Sequence, residues 1–82
     1  MPEKQTSLAP QPVDRHVGRR ISQLRGERGL SPRELEKKAD MAPGAVAALE
    51  KGSLSAGPLD LVYLARALKV GPADFFAGLA GA

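Results

Sequence analysis

Apolar and polar residues along the chain fall into five helical patterns, preceded by a stretch with no period. Residues 1–13 hold Pro2, Pro10 and Pro12 and only Leu8 and Val13 as sizeable apolar groups, the composition of a flexible arm. A regular stripe begins after Asp14, a good helix cap, and puts Val17, Ile21 and Leu24 at i, i+4 and i+7, with the arginines on the other faces. Gly29 stops this helix near Arg28. Leu30-Ser31-Pro32-Arg33-Glu34-Leu35 is then a complete start signal. Ser31 caps, Pro32 takes the first helical position, Glu34 closes a capping box, and Leu30 and Leu35 form a hydrophobic staple. The second helix should end at Ala39, with Asp40 turning the chain.

Met41 and Val46, five apart, suggest a second staple, with Pro43 opening a third helix that buries Val46 and Leu49 and stops at Gly52. After a loop of small residues at 53–57, Pro58 opens a fourth helix whose Leu61, Leu64, Ala65 and Leu68 follow i, i+3, i+4, i+7. Gly71-Pro72 starts a last helix with Phe75, Phe76 and Leu79. No segment alternates long enough to be a strand. The expected fold is all-α: a compact five-helix bundle over residues 14–79, between the arm at 1–13 and a short tail at 80–82. Its core should draw on these stripes together with Leu30, Met41, Leu54 and Val70.

Composition agrees with short packed helices. The 82 residues suit one domain, and thirteen Ala and eleven Leu against two Phe, one Tyr and no Trp disfavour a sandwich or barrel. With no Cys and only His16, the chain cannot form a thiolate zinc site, a disulfide framework or a multi-histidine metal cage. No apolar run nears the ~20 residues of a membrane span, and no signal-peptide core follows the first charges. A cytoplasmic protein with no membrane partner and no cofactor is the expectation. The net charge of +3 is concentrated: residues 15–28 carry Arg15, Arg19, Arg20, Arg25 and Arg28 against Glu27. Such a patch suits a polyanionic partner.

Two short helices joined by a turn, following a basic helix, make a helix-turn-helix, whose second member fits a major groove. Here the matching residues are Val17-Gly18-Arg19-Arg20-Ile21, Leu24-Arg25, Glu27-Arg28-Gly29-Leu30-Ser31, Glu34-Leu35, Val46, Leu49-Glu50-Lys51-Gly52 and Leu64-Ala65-Arg66-Ala67-Leu68-Lys69-Val70. Over residues 17–79 the chain resembles the Cro/CI-type (Xre-like) helix-turn-helix regulators of bacteria and phages. The resemblance implies a lambda-repressor-like five-helix domain that binds operator DNA, usually as a dimer.

The departures from that family fall where it reads DNA. Pro32 stands where members usually carry Gln, and has neither a side-chain donor nor an N–H. The recognition face is Pro43, Gly44, Ala45, Ala47 and Ala48, none able to make a bidentate contact with a base. Apolar contact with thymine methyls and readout of groove shape remain open to it. Glu36 replaces a usually small residue and Asp40 a usual turn glycine; the Glu36 carboxylate would repel phosphate unless Arg33 or Lys37 neutralises it.

Phosphate contacts are assigned to Arg19, Arg20, Arg33, Lys37 and Lys51, with Lys38 a weaker candidate; their alternative role is a solvated helix surface. Phe75, Phe76 and Leu79 are a candidate dimer contact, with one phenylalanine expected in the core and the other on a partner surface. His16 is expected to be an exposed helix residue, and Glu50 a structural hydrogen-bonding or ion-pairing group. No nucleophile–base pair, paired-carboxylate site or phosphate loop points to an enzyme. The expected function is a DNA-binding, repressor-like regulator, homodimeric on double-stranded DNA. The alternative is a degenerate helix-turn-helix acting as a protein-interaction module, an antirepressor or an adaptor to another regulator.

Overall fold

In the computed structural model, which describes residues 11–79, the chain folds as α1 (Pro12–Glu27), α2 (Pro32–Ala39), α3 (Ala45–Lys51), α4 (Pro58–Leu68) and a closing 3-10 helix (Pro72–Phe76). No strand occurs among the described residues. Among the described residues the bundle therefore has four α-helices rather than five. Pro72 starts the last element, but it winds as a 3-10 turn that ends at Ala77, where the backbone leaves helical conformation (φ −59°, ψ 133°). Of the arm expected at 1–13, residues 1–10 lie outside the described residues, as does the tail at 80–82, whereas Pro12 and Val13 belong to α1 and not to an arm.

Three of the helix starts follow the sequence signals. At α2, Ser31 Oγ accepts the Glu34 N–H (3.1 Å) while Glu34 Oε1 accepts the Ser31 N–H (2.7 Å). Half of that device recurs, a third-position carboxylate reaching back to the cap amide with no return bond from glycine, where Asp60 accepts the Gly57 N–H before α4 and Asp74 accepts the Gly71 N–H before the 3-10 helix. Helix α1 begins two residues before Asp14, because Pro12 fixes the first turn; Asp14 instead sits in that turn and accepts the Gln11 N–H at 2.6 Å. The same Asp14 oxygen accepts Ser55 Oγ at 2.6 Å, which ties the start of α1 to the α3–α4 loop.

Val17, Ile21, Leu24, Leu35, Ala39, Val46, Leu49, Leu64, Ala65, Leu68 and Phe75 make one core, with Leu30, Met41, Leu61 and Val70 packed around it. Leu54, expected inside, is exposed, and of the two phenylalanines Phe75 is the buried one while Phe76 is exposed. Helix α1 lies against α3 and the 3-10 helix, while α2 lies against α3 and α4. The α1–α3 crossing depends on Gly18: a Cβ there would collide with the backbone carbonyl of Leu49 and come within 2.9 Å of Glu50 O. No described helix is long and apolar enough to cross a membrane.

Candidate nucleic-acid interface

Helix α2, the turn at 40–44 and α3 form the helix-turn-helix. Asp40 adopts the left-handed conformation (φ 57°, ψ 46°) that ends α2, a geometry Asp tolerates better than most residues. Pro43 does not open α3, as its position suggested. Pro43 and Gly44 form a turn closed by the Ala45 N–H donating to Ala42 O (3.1 Å), and Gly44 at φ 87° is incompatible with a helix. Helix α3 therefore starts at Ala45 and has only seven residues.

A helix beginning after glycine has no side-chain cap of its own. Glu36 supplies one from α2. Its carboxylate is 3% exposed, Oε2 accepts the Val46 N–H at 3.0 Å, and Oε1 lies 3.8 Å from Arg33 Nη1. The residue that sequence marks as an awkward carboxylate beside the groove-facing helices is thus turned inward, satisfying an amide that would otherwise be buried without a partner. Arg33 is its nearby cation, as the sequence reading required.

With Val46 and Leu49 buried, the 100° helical step places Gly44, Ala47, Ala48 and Lys51 on the opposite side of α3, with Ala45 on its flank. Pro43 and Gly44 are exposed and Ala45, Ala47 and Ala48 half-buried. Only the lysine on that face carries a hydrogen-bonding side chain.

The candidate phosphate-binding cations separate into two groups. Arg19, Lys37, Lys38 and Lys51 are exposed, with no hydrogen bond or ion pair to any described residue. Arg33 keeps 57% of its side chain exposed despite its proximity to Glu36. Arg20 is different: its Nε donates to Asp74 O (2.9 Å) and its Nη1 to Gln23 Oε1 (2.9 Å), so it anchors the 3-10 helix instead of standing ready for phosphate. One turn earlier, His16 is half-buried with Nε2 2.8 Å from Ala77 O, where an exposed residue had been expected.

Two further arginines are structural. Arg25 grips Glu50 through Nε (2.6 Å) and Nη2 (3.0 Å) while Nη1 donates to Leu30 O (2.8 Å). Hydrogen bonding to the Glu50 carboxylate raises the Arg25 pKa, against a smaller opposing effect of burial. Arg28 Nε donates to Leu68 O (2.9 Å), a cation placed at the carboxyl end of α4. Arg15, not among the sequence candidates, is exposed on α1 and lies over Gly52 at the end of α3. Its i, i+4 spacing from Arg19 across Gly18 is the signal that could have found it, since Gly18 is where α1 meets α3.

At the carboxyl end, Phe75 is fully buried and so is removed from the candidate dimer contacts, whereas Phe76 is 39% exposed and Leu79 half-buried. The exposed apolar residues of α4, Leu59, Val62 and Tyr63, were missed, because the stripe of Leu61, Leu64 and Leu68 already accounts for a buried face.

Comparison with known proteins agrees with this geometry. A family model described as a helix-turn-helix domain matches residues 16–75. An uncharacterized HTH-type transcriptional regulator of Sinorhizobium fredii, y4wC, is 37% identical over 73 residues, covering 89% of this chain and 51% of that protein; the chain spans about half the length of that curated relative. The restriction-modification controller protein C.AhdI from Aeromonas hydrophila superposes with a TM-score of 0.75 at 27% identity, over 77% of this chain and 96% of that one. The clp gene regulator ClgR from Corynebacterium glutamicum shares the fold, with a TM-score of 0.76 at 24% identity over 82% and 71% of the two chains. With a helix-turn-helix of this geometry and a family match over most of its length, the chain belongs to the helix-turn-helix domain family, of the Cro/CI (Xre-like) type.

Proposed function

We propose that this chain binds double-stranded DNA as a repressor-like transcription regulator. One observation carries the reading: α3 turns its smooth face of Gly44, Ala47 and Ala48 outward, while Lys51, Arg19, Arg33 and Lys37 stand exposed with their charged groups available. Those cations, with Arg15 added and Arg20 withdrawn, are the proposed phosphate contacts. Pro43 and Ala45 border the proposed groove face. An outward face without forked donors discriminates bases weakly, so sequence preference comes from thymine methyl contacts and groove shape. The names of the relatives, a transcriptional regulator, a restriction-modification controller and a gene regulator, support the same reading. Residues 14–79 are the proposed DNA-binding unit, acting in the cytoplasm without a cofactor or catalytic step.

The same featureless face is what a protein-interaction module would present, and a binding titration separates the two. On mixed duplex DNA fragments, the regulator reading expects affinity that falls steeply with salt as phosphate counterions are released, and at least one preferred fragment. Absence of binding at ~50 mM salt would overturn it in favour of the interaction module. Replacing Arg19, Arg33 and Lys37 together with Ala should abolish binding while leaving the helical signal unchanged. Unaltered affinity would remove those residues from the footprint.

A further inference from the structure

Building on the DNA-binding reading, we infer that Glu36 is a positioning residue for DNA selectivity. It holds the charge of Arg33 neutralised against loosely bound duplexes and yields that cation only where α3 is seated in a groove.

The two oxygens of Glu36 have different partners. Oε2 accepts the Val46 N–H at 3.0 Å, and Oε1 faces Arg33 Nη1 at 3.8 Å. The carboxylate is 3% exposed, and no other cation of the described residues lies within ion-pair distance of it. A buried charge stripped of its counter-charge is strongly disfavoured, so Arg33 stays beside it in the free protein. The separation is nevertheless too long for a hydrogen bond, and more than half of the Arg33 side chain faces water. Arg33 is therefore held by charge alone, without a directional bond, and its donors remain open to a second anion.

Arg33 is alone in this among the proposed phosphate contacts. Arg15, Arg19, Lys37 and Lys51 have no acidic partner among the described residues, so their charge acts on any duplex that approaches. Sequence-independent binding draws on phosphate electrostatics, and a neutralised Arg33 adds nothing to it. Seating α3 brings a phosphate up to the first turn of α2, where Arg33 can be shared between that phosphate and Glu36. The gain then belongs to the seated complex and not to the loose one. An outward face of Gly44, Ala47 and Ala48 supplies few base contacts, so suppressing the background grip is how such a domain keeps its preference for one site over the rest.

Fluorescence anisotropy titrations of the full chain against two duplexes test this. One is the fragment the parent most enriches from a mixed duplex pool; the other is a shuffled duplex of equal length and base composition. Glu36→Gln keeps an acceptor for the Val46 N–H but removes the negative charge. It should bind the shuffled duplex about eightfold tighter at ~0.1 M salt, with a log–log salt slope steeper by roughly 0.9, one phosphate's share. The enriched fragment should gain far less, at the parental slope, so selectivity falls. Adding Arg33→Ala to Glu36→Gln should cancel the gain on the shuffled duplex. In the parent background, where the Glu36 cap is intact, Arg33→Gln should lower the slope on the enriched fragment more than on the shuffled one. A Glu36 that only caps α3 would leave both slopes as in the parent. Unchanged slopes, or equal gains on the two duplexes, overturn this inference and leave the DNA-binding reading standing, whereas a parent that binds neither duplex removes both.

Discussion

Glu36 Oε2 accepts the backbone N–H of Val46 at 3.0 Å, so a buried carboxylate on α2 caps the first turn of α3. This bond fixes how the two helices of the motif sit relative to one another. It compensates for Gly44, which gives the turn its left-handed bend but brings no capping side chain. Glu36→Ala should cost about 1–3 kcal/mol, the price of leaving a buried amide unsatisfied, and lower the melting temperature accordingly. Glu36→Gln keeps an acceptor and should lose markedly less. Equal melting temperatures for the two variants would show that the bond contributes nothing.

Two glycines on α1 should respond to the same substitution with opposite signs. Gly26→Ala meets open space and should stabilise by about 0.5–1 kcal/mol, since alanine restricts the unfolded chain and favours helix. Gly18→Ala drives a methyl into the Leu49 carbonyl and forces α1 and α3 apart, a destabilisation of about 1–3 kcal/mol or more. Thermal denaturation of both variants checks the pair.

Arg19 and Arg20 are adjacent but should separate in function. Arg19→Ala should weaken DNA binding and lower the slope of affinity against salt by roughly one phosphate's share, with little effect on melting. Arg20→Ala releases Asp74 O, and should raise amide exchange around Phe75–Ala77 while leaving the salt slope unchanged. If the two effects were exchanged, the proposed footprint would be wrong.

Arg25 and Glu50 form a partly buried, two-pronged ion pair, so removing either partner strands the other. Arg25→Met and Glu50→Gln should each destabilise the fold, and the double variant should lose less than the two single effects combined. The coupling from a double-mutant cycle, of order 1 kcal/mol or more, measures the pair. Strict additivity would mean the two residues act separately.

Acid should weaken the cap of α2. The Ser31 N–H, more than any other cause, lowers the Glu34 pKa below its ordinary 4.5. A depressed carboxylate pKa stabilises the folded state fully above that ordinary value, and the contribution disappears as pH falls through the lower folded value. Stability should therefore decline on acidification below about 4.5, and Glu34→Gln should flatten that part of the profile. An identical acid limb in the variant would remove Glu34 from the linkage.

Much of the architecture is local in origin, and hence readable along the chain. Ser31-Pro32 with Glu34 determines where α2 starts, and the stripes of α1 and α4 determine which faces bury Ile21, Leu24, Leu64 and Leu68, because capping and helical periodicity act within a few residues. The smooth face of α3 was legible too, since Val46 and Leu49 leave only glycine, alanine and Lys51 opposite them. The start of α3 was not: Pro43 is compatible with a first helical position, and the positive φ of Gly44 is what displaces the helix to Ala45.

Partners distant in the chain required the folded structure. Pairing Glu36 with Val46, Arg25 with Glu50, Arg20 with Asp74 and His16 with Ala77 depends on how the helices cross, and that crossing depends on Gly18 admitting α3. A charge reads the same along a sequence whether it faces solvent or satisfies a buried amide. Sequence by itself determined α2, α4, the buried faces and the helix-turn-helix pattern, but not the first residues of α1 and α3 or the 3-10 winding of the last element. Tertiary packing decided which charges stay free for a ligand and which hold the protein together, because only three-dimensional proximity sets the Coulomb and hydrogen-bonding partners of each group.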